Sequence, residues 1–362
     1  MIVRRLRLEG FRNLAAQRVE LGPGLHVLHG DNGQGKTNAL EAIHLLSSLR
    51  SFRACRLKEL VAHGQPRAEL WAQVESAGAE LSLRVAIEGS SRRTWLGESP
   101  ARDAAEYLGR LQAVAFTPDD LAMVKGAPAQ RRRFLDRAAF LLRPSHLLLA
   151  RDFSAALRAR NRLLRSGRAQ AEELAAFGEQ VARLGAELSA RRLAAVELLG
   201  RAFERACGDL LGRPAAAGLS LRPGWRLEGG ATGLAAELER SLGLDRRRGA
   251  TSVGPQLDDL ELSLDGQPAR RFASQGQQRA LAVGLLLALV DEVVAAGAEQ
   301  PVLLLDDVSS ELDEGNRGRL FARVRALGGQ VLVTTTDARL VGELGEGTRA
   351  FEVRAGRLLA DQ

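Results

Sequence analysis

The chain has 362 residues, 45% of them hydrophobic, and a formal net charge of +7. This length and hydrophobic content are enough to fill the core of one large domain or two smaller ones, and the basic balance is compatible with a phosphate-bearing partner, nucleic acid or an anionic membrane surface. Cys55 and Cys207 stand far apart without metal-site spacing, which argues against a disulfide framework or a zinc site and fits a reducing compartment.

The N-terminal residues 1–9 alternate apolar and charged side chains in the manner of a strand and contain no signal-peptide core. The longest apolar stretch, 280–290, is too short to span a bilayer. The sequence therefore predicts a soluble, cytoplasmic protein that has no membrane partner.

Three predicted strands, at 2–8, 18–21 and 25–28, open the chain, and the third leads into a Gly-rich loop and a predicted helix at 37–48. The loop matches the P-loop pattern GxxxxGK[ST], and it consists of Gly30, Asp31, Asn32, Gly33, Gln34, Gly35, Lys36 and Thr37. The preceding strand and the following helix are the context that this pattern requires, so we predict that all eight residues form a nucleotide site.

Each part of a P-loop has a physical role in holding phosphate. Glycines let backbone N–H groups close around phosphate oxygens, and the helix N-terminus adds a positive dipole. Lys36, one of three lysines in the chain, is predicted to contact the β- and γ-phosphates of ATP and to take part in catalysis, while the Thr37 hydroxyl is predicted to bind Mg²⁺. The alternative is a Gly-rich turn that matches by chance.

Alternating stretches between 68 and 96 predict antiparallel strands, and Gln112 stands just before the apolar segment 113–116. Gln112 is our candidate for the glutamine that senses Mg²⁺ in ABC-type sites, with a catalytic as well as a metal-contacting role. A surface glutamine is the alternative. The next stretch, 129–210, is rich in Ala, Leu, Arg and Glu and predicts a helical lobe.

A strand predicted at 257–264 is followed by Ser274, Gly276 and Gln277, which open a helix that runs to about residue 290. Ser274 can cap this helix, and Gly276 lets a phosphate approach its exposed N–H groups. Ser-x-Gly-Gln is also the core of the ABC signature. We therefore predict a second phosphate-binding helix terminus, which would cap the γ-phosphate held by the P-loop of another copy.

The strand predicted at 302–305 ends in Asp306 and Asp307. Acids at such a strand end project into the crevice where α/β proteins bind ligands. Asp306 fits the Walker B carboxylate that holds Mg²⁺ through water, and Asp307 is placed to orient or deprotonate the attacking water. A core strand followed by helix-capping acids is the alternative, which the P-loop disfavours.

Residues 309–313 resemble a D-loop, so Asp313 is predicted to belong to the nucleotide site. The strand predicted at 331–335 ends in Thr334, Thr335 and Thr336, where many ABC proteins carry a switch histidine. A hydroxyl can bond a γ-phosphate or a water but cannot hold a positive charge. We therefore expect slow hydrolysis.

Together these elements, with a last strand at 350–353, predict an α/β fold. Its ABC-ATPase or SMC-head-like P-loop core, of mixed sheets with flanking helices, is assembled from residues 1–120 and 250–362. A mainly helical lobe, residues 121–249, is inserted between the two parts of the core.

The order of the motifs resembles that of the SMC-class head domains and, more closely, of the bacterial RecF family, over essentially the whole chain. Besides the P-loop, the resemblance rests on LEGFRN at 8–13, RSFR at 50–53, FTPDDL at 116–121, VKG at 124–126 and RRRFLD at 131–136. GPQLDD at 254–259 matches in part, because RecF proteins usually have His-Arg in place of Gln256 and Leu257. A long heptad insert is missing, which separates the chain from SMC proteins with extended coiled coils.

The resemblance implies an ATP- and Mg²⁺-dependent homodimer with weak, DNA-dependent ATPase activity, in which Arg12 and Asn13 contact the nucleotide. It implies binding to duplex DNA and to gapped junctions between duplex and single strand. Further implied partners are RecR and RecO, with which the dimer helps to load RecA during recombinational repair, replication restart and the SOS response.

Two alternatives share parts of this motif set. An ATPase subunit of an ABC membrane transporter has the same three motifs, but the large helical lobe, the missing switch histidine and the FRN segment argue against it. A P-loop ATPase of the overcoming-lysogenisation type would carry an additional nuclease domain, for which we expect no room in this sequence.

Overall fold

Residues 1–54, 56–167, 170–308, 312–341 and 348–361 are described by the computed structural model, with only the backbone described for 340 and 341. The chain forms two compact units. The first contains Met1–Leu121, Ala206–Pro214 and Ser274–Gln362, and the second contains Ala122–Arg205 and Ala215–Ala273.

One sheet of the first unit is antiparallel, with the strand order β2-β1-β4-β5-β6-β7. Its strands are β1 (Ile2–Glu9), β2 (Gln17–Glu20), β4 (Arg67–Ser76), β5 (Ala79–Glu88), β6 (Ser91–Leu96) and β7 (Ser99–Pro100). In β1 the side chains of Val3, Leu6 and Leu8 are buried, and a register shift between Val3 and Arg5 explains the interrupted alternation.

The other sheet of the first unit is mostly parallel, with the order β15-β14-β3-β13-β12-β8. Its strands are β3 (Gly24–His29), β8 (Ala113–Phe116), β12 (Val302–Leu305), β13 (Gln330–Thr334), β14 (Arg349–Arg354) and the antiparallel β15 (Arg357–Ala360). Every residue of β8, β12 and β13 is buried, as expected for strands covered on both faces. Because β3, β8, β12 and β13 are parallel, their carboxyl ends meet at one edge.

The helices of the first unit are α1 (Lys36–Ser48), α2 (Ala104–Tyr107), α10 (Gln275–Ala295) and α11 (Glu314–Ala326), with 3-10 helices at Leu57–Leu60, Pro118–Leu121 and Ala338–Val341. Helix α1 contacts strands of both sheets, and every residue from Ala39 to Ser47 is buried. A helix that is buried on all sides needs apolar residues around its whole circumference, which the run 280–290 of α10 has. In α1 the buried polar residues Glu41, His44 and Ser47 instead have hydrogen-bond partners.

The second unit is mainly helical. Its helices are α3 (Ala122–Lys125), α4 (Pro128–Leu142), α5 (His146–Ser166), α6 (Ala171–Leu211, whose last residues belong to the first unit), α7 (Gly230–Arg240), α8 (Leu242–Arg248) and α9 (Ala269–Phe272), with a 3-10 helix at Pro255–Leu257. A small sheet of order β11-β10-β9 completes it, formed by β9 (Ala217–Arg222), β10 (Asp259–Leu264) and β11 (Gln267–Pro268).

The family-specific run at 131–136 contributes to the buried core of the second unit. Arg131 is 3% exposed, and its guanidinium donates to both carboxylate oxygens of Asp259 over 2.6 and 2.9 Å. Burial raises the pKa of Asp259, but hydrogen bonds and the charge of Arg131 outweigh this effect, so the pKa lies below its usual value. Arg131 therefore belongs to the core of the second unit and does not lie on a solvated helix face.

The boundaries of the units differ from the predicted core (1–120 and 250–362) and lobe (121–249). Residues up to Ala273 belong to the second unit, because β10 pairs along its whole length with β9. Conversely, Ala206–Pro214 belongs to the first unit, where Nε of Arg319 donates to the Leu210 carbonyl over 2.7 Å. No helix of the described residues is both long enough and apolar enough to cross a membrane.

Candidate nucleotide-binding site

The Gly-rich loop joins β3 to α1 at the carboxyl edge of the parallel sheet. Gly30, Gly33 and Gly35 have φ values of +131°, +80° and +114°, which residues with a side chain rarely adopt. A Cβ atom on Gly30 would lie 2.7 Å from the Val353 carbonyl oxygen, and one on Gly35 would lie 2.8 Å from Cδ2 of Leu14. The backbone conformation therefore favours glycine at all three positions, and close packing requires it at Gly30 and Gly35.

The ammonium of Lys36 lies inside this loop. It is 8% exposed and donates to the carbonyl oxygens of Gly30 and Asp31 over 2.6 and 2.8 Å. Burial lowers the pKa of Lys36, and the charges of Asp307, Asp306 and Asp31 oppose this effect. Phosphate oxygens of a nucleotide can replace the two carbonyls as acceptors without a large movement of the side chain.

The Thr37 hydroxyl donates to Oδ1 of Asp306 over 2.8 Å, and the Thr334 hydroxyl donates to the same oxygen over 2.7 Å. The pKa of Asp306 lies above its usual value, mainly because of burial. The two hydrogen bonds and the nearby Arg53 act in the opposite direction but do not outweigh this effect. Thr37 and Asp306 therefore present oxygen ligands next to each other, as Mg²⁺ requires. Among the described residues no three His, Cys, Asp or Glu side chains are grouped so that they could hold a metal ion.

Asp307 follows with a φ of +48°, in the left-handed region. Such a conformation costs on the order of 1 kcal/mol or more for a residue other than glycine, and is found where the surroundings impose it. Here the backbone N–H of Asp307 donates to the Thr334 hydroxyl over 2.9 Å. Thr334 thus fixes both acids at the end of β12.

These groups border a cavity of about 550 Å³, a size typical of small-molecule sites. It is lined by Arg12, Asn13, Asn32, Gly33, Gly35, Lys36, Thr37, Asn38, Arg53, Glu59, Val61, His63, Asp307 and Thr334. The cavity thus brings together most of the P-loop with Arg12, Asn13 and Asp307. Sequence reasoning gave no site role to Asn38, Arg53, Glu59, Val61 or His63, although Arg53 belongs to a family-specific run.

Hydrogen bonds of Asn13 and Gln34 connect the loop to neighbouring segments of the chain. The Asn13 amide donates to the Gly33 carbonyl over 2.7 Å and accepts from the Asn38 amide over 2.7 Å. The Gln34 side chain instead accepts from the backbone N–H of Ala355 over 2.7 Å, in the turn between β14 and β15. Because the side chain of Gln34 is used in this hydrogen bond, the predicted contact of Gln34 with the nucleotide would be made by its backbone.

Arg12 is paired within the protein. Its guanidinium donates to both carboxylate oxygens of Glu41, over 2.8 and 3.0 Å, and to the Glu59 carbonyl over 2.9 Å. Glu41 is fully buried in α1 and also accepts from the Ser51 hydroxyl. Arg12 lies at the wall of the cavity, but the predicted contact between its guanidinium and the nucleotide stays a prediction.

The prediction for Gln112 is wrong. Strand β8 runs parallel to β12, with Ala113 opposite Val302 and Phe116 opposite Leu305. Gln112 precedes β8, so it lies at the amino edge of the sheet, roughly 13 Å along the strand from the edge that carries Asp306. A glutamine there cannot contact a Mg²⁺ ion bound by Thr37, and the residue that follows β8 at the correct edge is the buried Thr117.

Ser274 caps α10 as predicted. Its hydroxyl accepts from the backbone N–H of Gln277 over 3.3 Å, and the Gln277 side chain accepts from the backbone N–H of Ser274 over 2.8 Å. A Cβ atom on Gly276 would have no neighbour within 4 Å, so the backbone is open to a ligand. Among the described residues of this chain, Ser274, Gly276 and Gln277 do not line the P-loop cavity.

The remaining D-loop prediction can be placed in part. Asp313 caps α11, because its carboxylate accepts from the backbone N–H of Asn316 over 2.9 Å, and it does not line the cavity in the described part of the chain. The predicted D-loop residues 309–311 lie outside the described residues.

The chain matches known proteins over nearly its whole length. The family model described as RecF/RecN/SMC N terminal domain matches residues 2–357. The DNA replication and repair protein RecF of Anaeromyxobacter dehalogenans strain 2CP-C is 44% identical, with 97% of both chains covered. That of Myxococcus xanthus strain DK1622 is 42% identical, with 98% of this chain and 96% of the relative covered.

Solved structures agree with these relatives. A structure of the recombination mediator protein RecF-ATP in the RecFOR pathway superimposes with a TM-score of 0.89 at 27% identity, covering 99% of this chain and 97% of that one. The Smc head domain from Pyrococcus furiosus has a TM-score of 0.60 at 17% identity, covering 99% and 95%, and shares the fold alone. These matches give no support to the membrane-transporter alternative.

Proposed function

The chain belongs to the RecF family, within the RecF/RecN/SMC N-terminal domain group, and we propose that it uses ATP to dimerise on DNA during replication and repair. The observation that carries the proposal is the convergence of Lys36, Thr37 and Asp306 at one edge of the parallel sheet, with 2.8 Å between the Thr37 and Asp306 oxygens. This arrangement fits a nucleoside triphosphate with its metal ion.

The chemistry assigns one task to each residue. Lys36 binds the β- and γ-phosphates, and Thr37 and Asp306 are the residues that would hold Mg²⁺. When bound, Mg²⁺ neutralises charge on the phosphate oxygens. Asp307 takes a proton from the water whose oxygen attacks the γ-phosphorus, while the bond between that phosphorus and the bridging oxygen of the departing ADP breaks. Thr334 keeps both acids in place but cannot carry the positive charge of a histidine, so hydrolysis is slow and acts as a switch.

The separate positions of the P-loop and the N-terminus of α10 support dimerisation. Ser274 and Gly276 do not line the cavity of their own chain in the described residues, yet the open N-terminus of α10 suits a phosphate. We infer that the signature of one copy caps the γ-phosphate held by Lys36 of a second copy. The D-loop with Asp313 would then belong to the contact between the copies.

The DNA role is supported by the relatives, which are named for DNA replication and repair. We infer contacts to the phosphate backbone of duplex and gapped DNA, stimulation of the slow ATPase by DNA, and a place in the cytoplasm. RecR and RecO, and through them RecA, are the inferred partners, because similar solved structures are described as parts of the RecFOR pathway.

Equilibrium binding of ATP to Lys36→Ala tests the site. We expect binding and turnover to be lost, because the substitution removes the ammonium that lies inside the loop and would pair with the β- and γ-phosphates. Lys125→Ala removes an equivalent ammonium from an exposed position of the second unit and should bind ATP like the parent protein. Normal turnover by Lys36→Ala would rule out the assignment.

A further inference from the structure

The second unit carries a group of exposed arginines that the nucleotide site does not use. They come from helices α5 and α8, which contact each other, and all six are exposed: Arg158, Arg162, Arg165, Arg246, Arg247 and Arg248. We call this group the arginine surface. Its residues have no counterpart among the motifs that identify the nucleotide site.

The three arginines of α5 form one stripe. Their spacing of four and three residues places Arg158, Arg162 and Arg165 on the same side of the helix. The opposite side is buried, with Phe153, Ala156, Arg160 and Leu164 facing the interior of the unit. The stripe therefore faces solvent along about 10 Å of helix.

The arginines of α8 adjoin this stripe. Helix α8 ends in Arg246, Arg247 and Arg248 and is capped by Gly249, where a Cβ atom would lie 2.9 Å from Cγ of Arg165. A buried ion pair fixes the two helices to each other, since Nη1 of Arg160 donates to Asp245 over 2.8 Å and both side chains are at most 2% exposed. The arginine surface is therefore formed by two helices that a buried ion pair holds together.

Acids that would neutralise the surface are missing from the two helices. Asp245 is used in the buried pair, and Asp152, the other acid of α5 and α8, pairs with Arg151 over 3.0 Å about 9 Å before Arg158. Within the part of the chain that the structure describes, none of the six arginines forms an ion pair. The dipole of α8 favours cations at its last turn, but it gives no reason for Arg158 and Arg162 on α5.

We propose that the arginine surface binds the phosphate backbone of DNA. The inference rests on the DNA-binding part of the proposed function and gives it a location. Guanidinium groups pair with phosphate oxygens through two parallel hydrogen bonds. The 10 Å stripe matches the rise of about three phosphates along one strand, at about 3.4 Å each. With no aromatic side chain among the six residues, the contacts recognise the backbone and not the base sequence.

A pair of matched double variants tests the location. Arg158→Gln/Arg162→Gln removes two charges from the surface, and Arg201→Gln/Arg205→Gln removes two from α6 at the same spacing of four residues. Both control positions are exposed and belong to the same unit. Arg201 lies about 45 Å along α6 from the first residue of that helix, which follows α5 in the chain. Glutamine keeps the helix propensity, so the folds should be unaffected.

The measurement is the affinity for a labelled gapped duplex in the presence of ATP, across a range of salt concentrations. For the surface variant we expect binding weaker by about tenfold or more and a log–log salt slope that is shallower by about 1.8, or 0.9 for each lost phosphate contact. The control variant should match the parent protein, and both variants should bind ATP normally.

Equal DNA affinity of the two double variants, with a parent protein that binds DNA, would overturn this location and leave the proposed function intact. A surface variant that keeps its DNA affinity but loses binding to an acidic protein would overturn it as well. A parent protein without salt-dependent DNA binding would instead contradict the DNA-binding role itself.

Discussion

Asp306 connects residues from three elements of the candidate nucleotide site. Thr37 comes from the P-loop helix, Thr334 from the end of β13 and Asp306 from the end of β12, yet both hydroxyls donate to one carboxylate oxygen within 2.8 Å. The backbone of Asp307 is held by the same Thr334. A change at any of these residues is therefore expected to affect metal binding or water attack before it affects the fold.

Asp307→Asn should leave ATP binding intact and slow hydrolysis by about a hundredfold or more, because the amide cannot take the proton of the attacking water. The dimer should then persist in ATP. ATP titration and phosphate release measure the two effects separately. If the variant hydrolyses ATP as fast as the parent protein, the catalytic role belongs to another group.

Glu41→Gln tests whether the buried pair with Arg12 shapes the wall of the cavity. Removing the charge leaves Arg12 without its partner and should cost about 3 kcal/mol of stability. ATP and ADP affinities should both fall, since Arg12 and the Ser51 segment lose their anchor. Asp245→Asn removes an equally buried carboxylate from the second unit and should lower Tm without weakening nucleotide binding. Equal nucleotide affinities in the two variants would contradict this role.

At the scale of elements, the sequence predicted the local motifs well. The strand, loop and helix around Lys36 are contiguous, and so are β12 and its two acids, so spacing alone specifies them. The role predicted for Gln112 is wrong because a contact with Mg²⁺ would require Gln112 to follow β8 and not to precede it. A glutamine that precedes a strand reaches the wrong edge of a parallel sheet.

Contacts between distant segments could not be read from spacing. Glu41 is 29 residues from Arg12, and Arg131 is 128 residues from Asp259. Neither pair has a local pattern that distinguishes a buried ion pair from two solvated charges. Arg53 and His63 also line the cavity because of tertiary packing. The sequence around His63 contains no motif that would have predicted this position.

Ser274→Arg tests the signature helix. The P-loop is untouched, so ATP binding should be normal, but the long side chain should block the γ-phosphate of a second copy and abolish dimerisation and turnover. Ser220→Arg introduces the same charge at an exposed strand position and should behave like the parent protein. Loss of ATP binding by Ser274→Arg would indicate that the serine acts within its own chain.

We expect the two units of the molecule to have separate tasks, nucleotide binding in the first and DNA binding in the second. The first unit holds the nucleotide cavity and the signature helix, and the second carries the arginine surface. Other arginines, such as Arg160 and Arg131, are buried in ion pairs. The net charge of +7 alone could not separate these classes of arginine.

Sedimentation of a mixture of two inactive variants tests whether two copies complete each nucleotide site. Lys36→Met lacks a working P-loop and Ser274→Arg lacks a working signature, so each alone should stay monomeric with ATP. Mixed together, they can form one intact site from the P-loop of one chain and the signature of the other. We predict an ATP-dependent dimer in the mixture and monomers with ADP, whereas a mixture that stays monomeric under conditions in which the parent protein dimerises would contradict the claim.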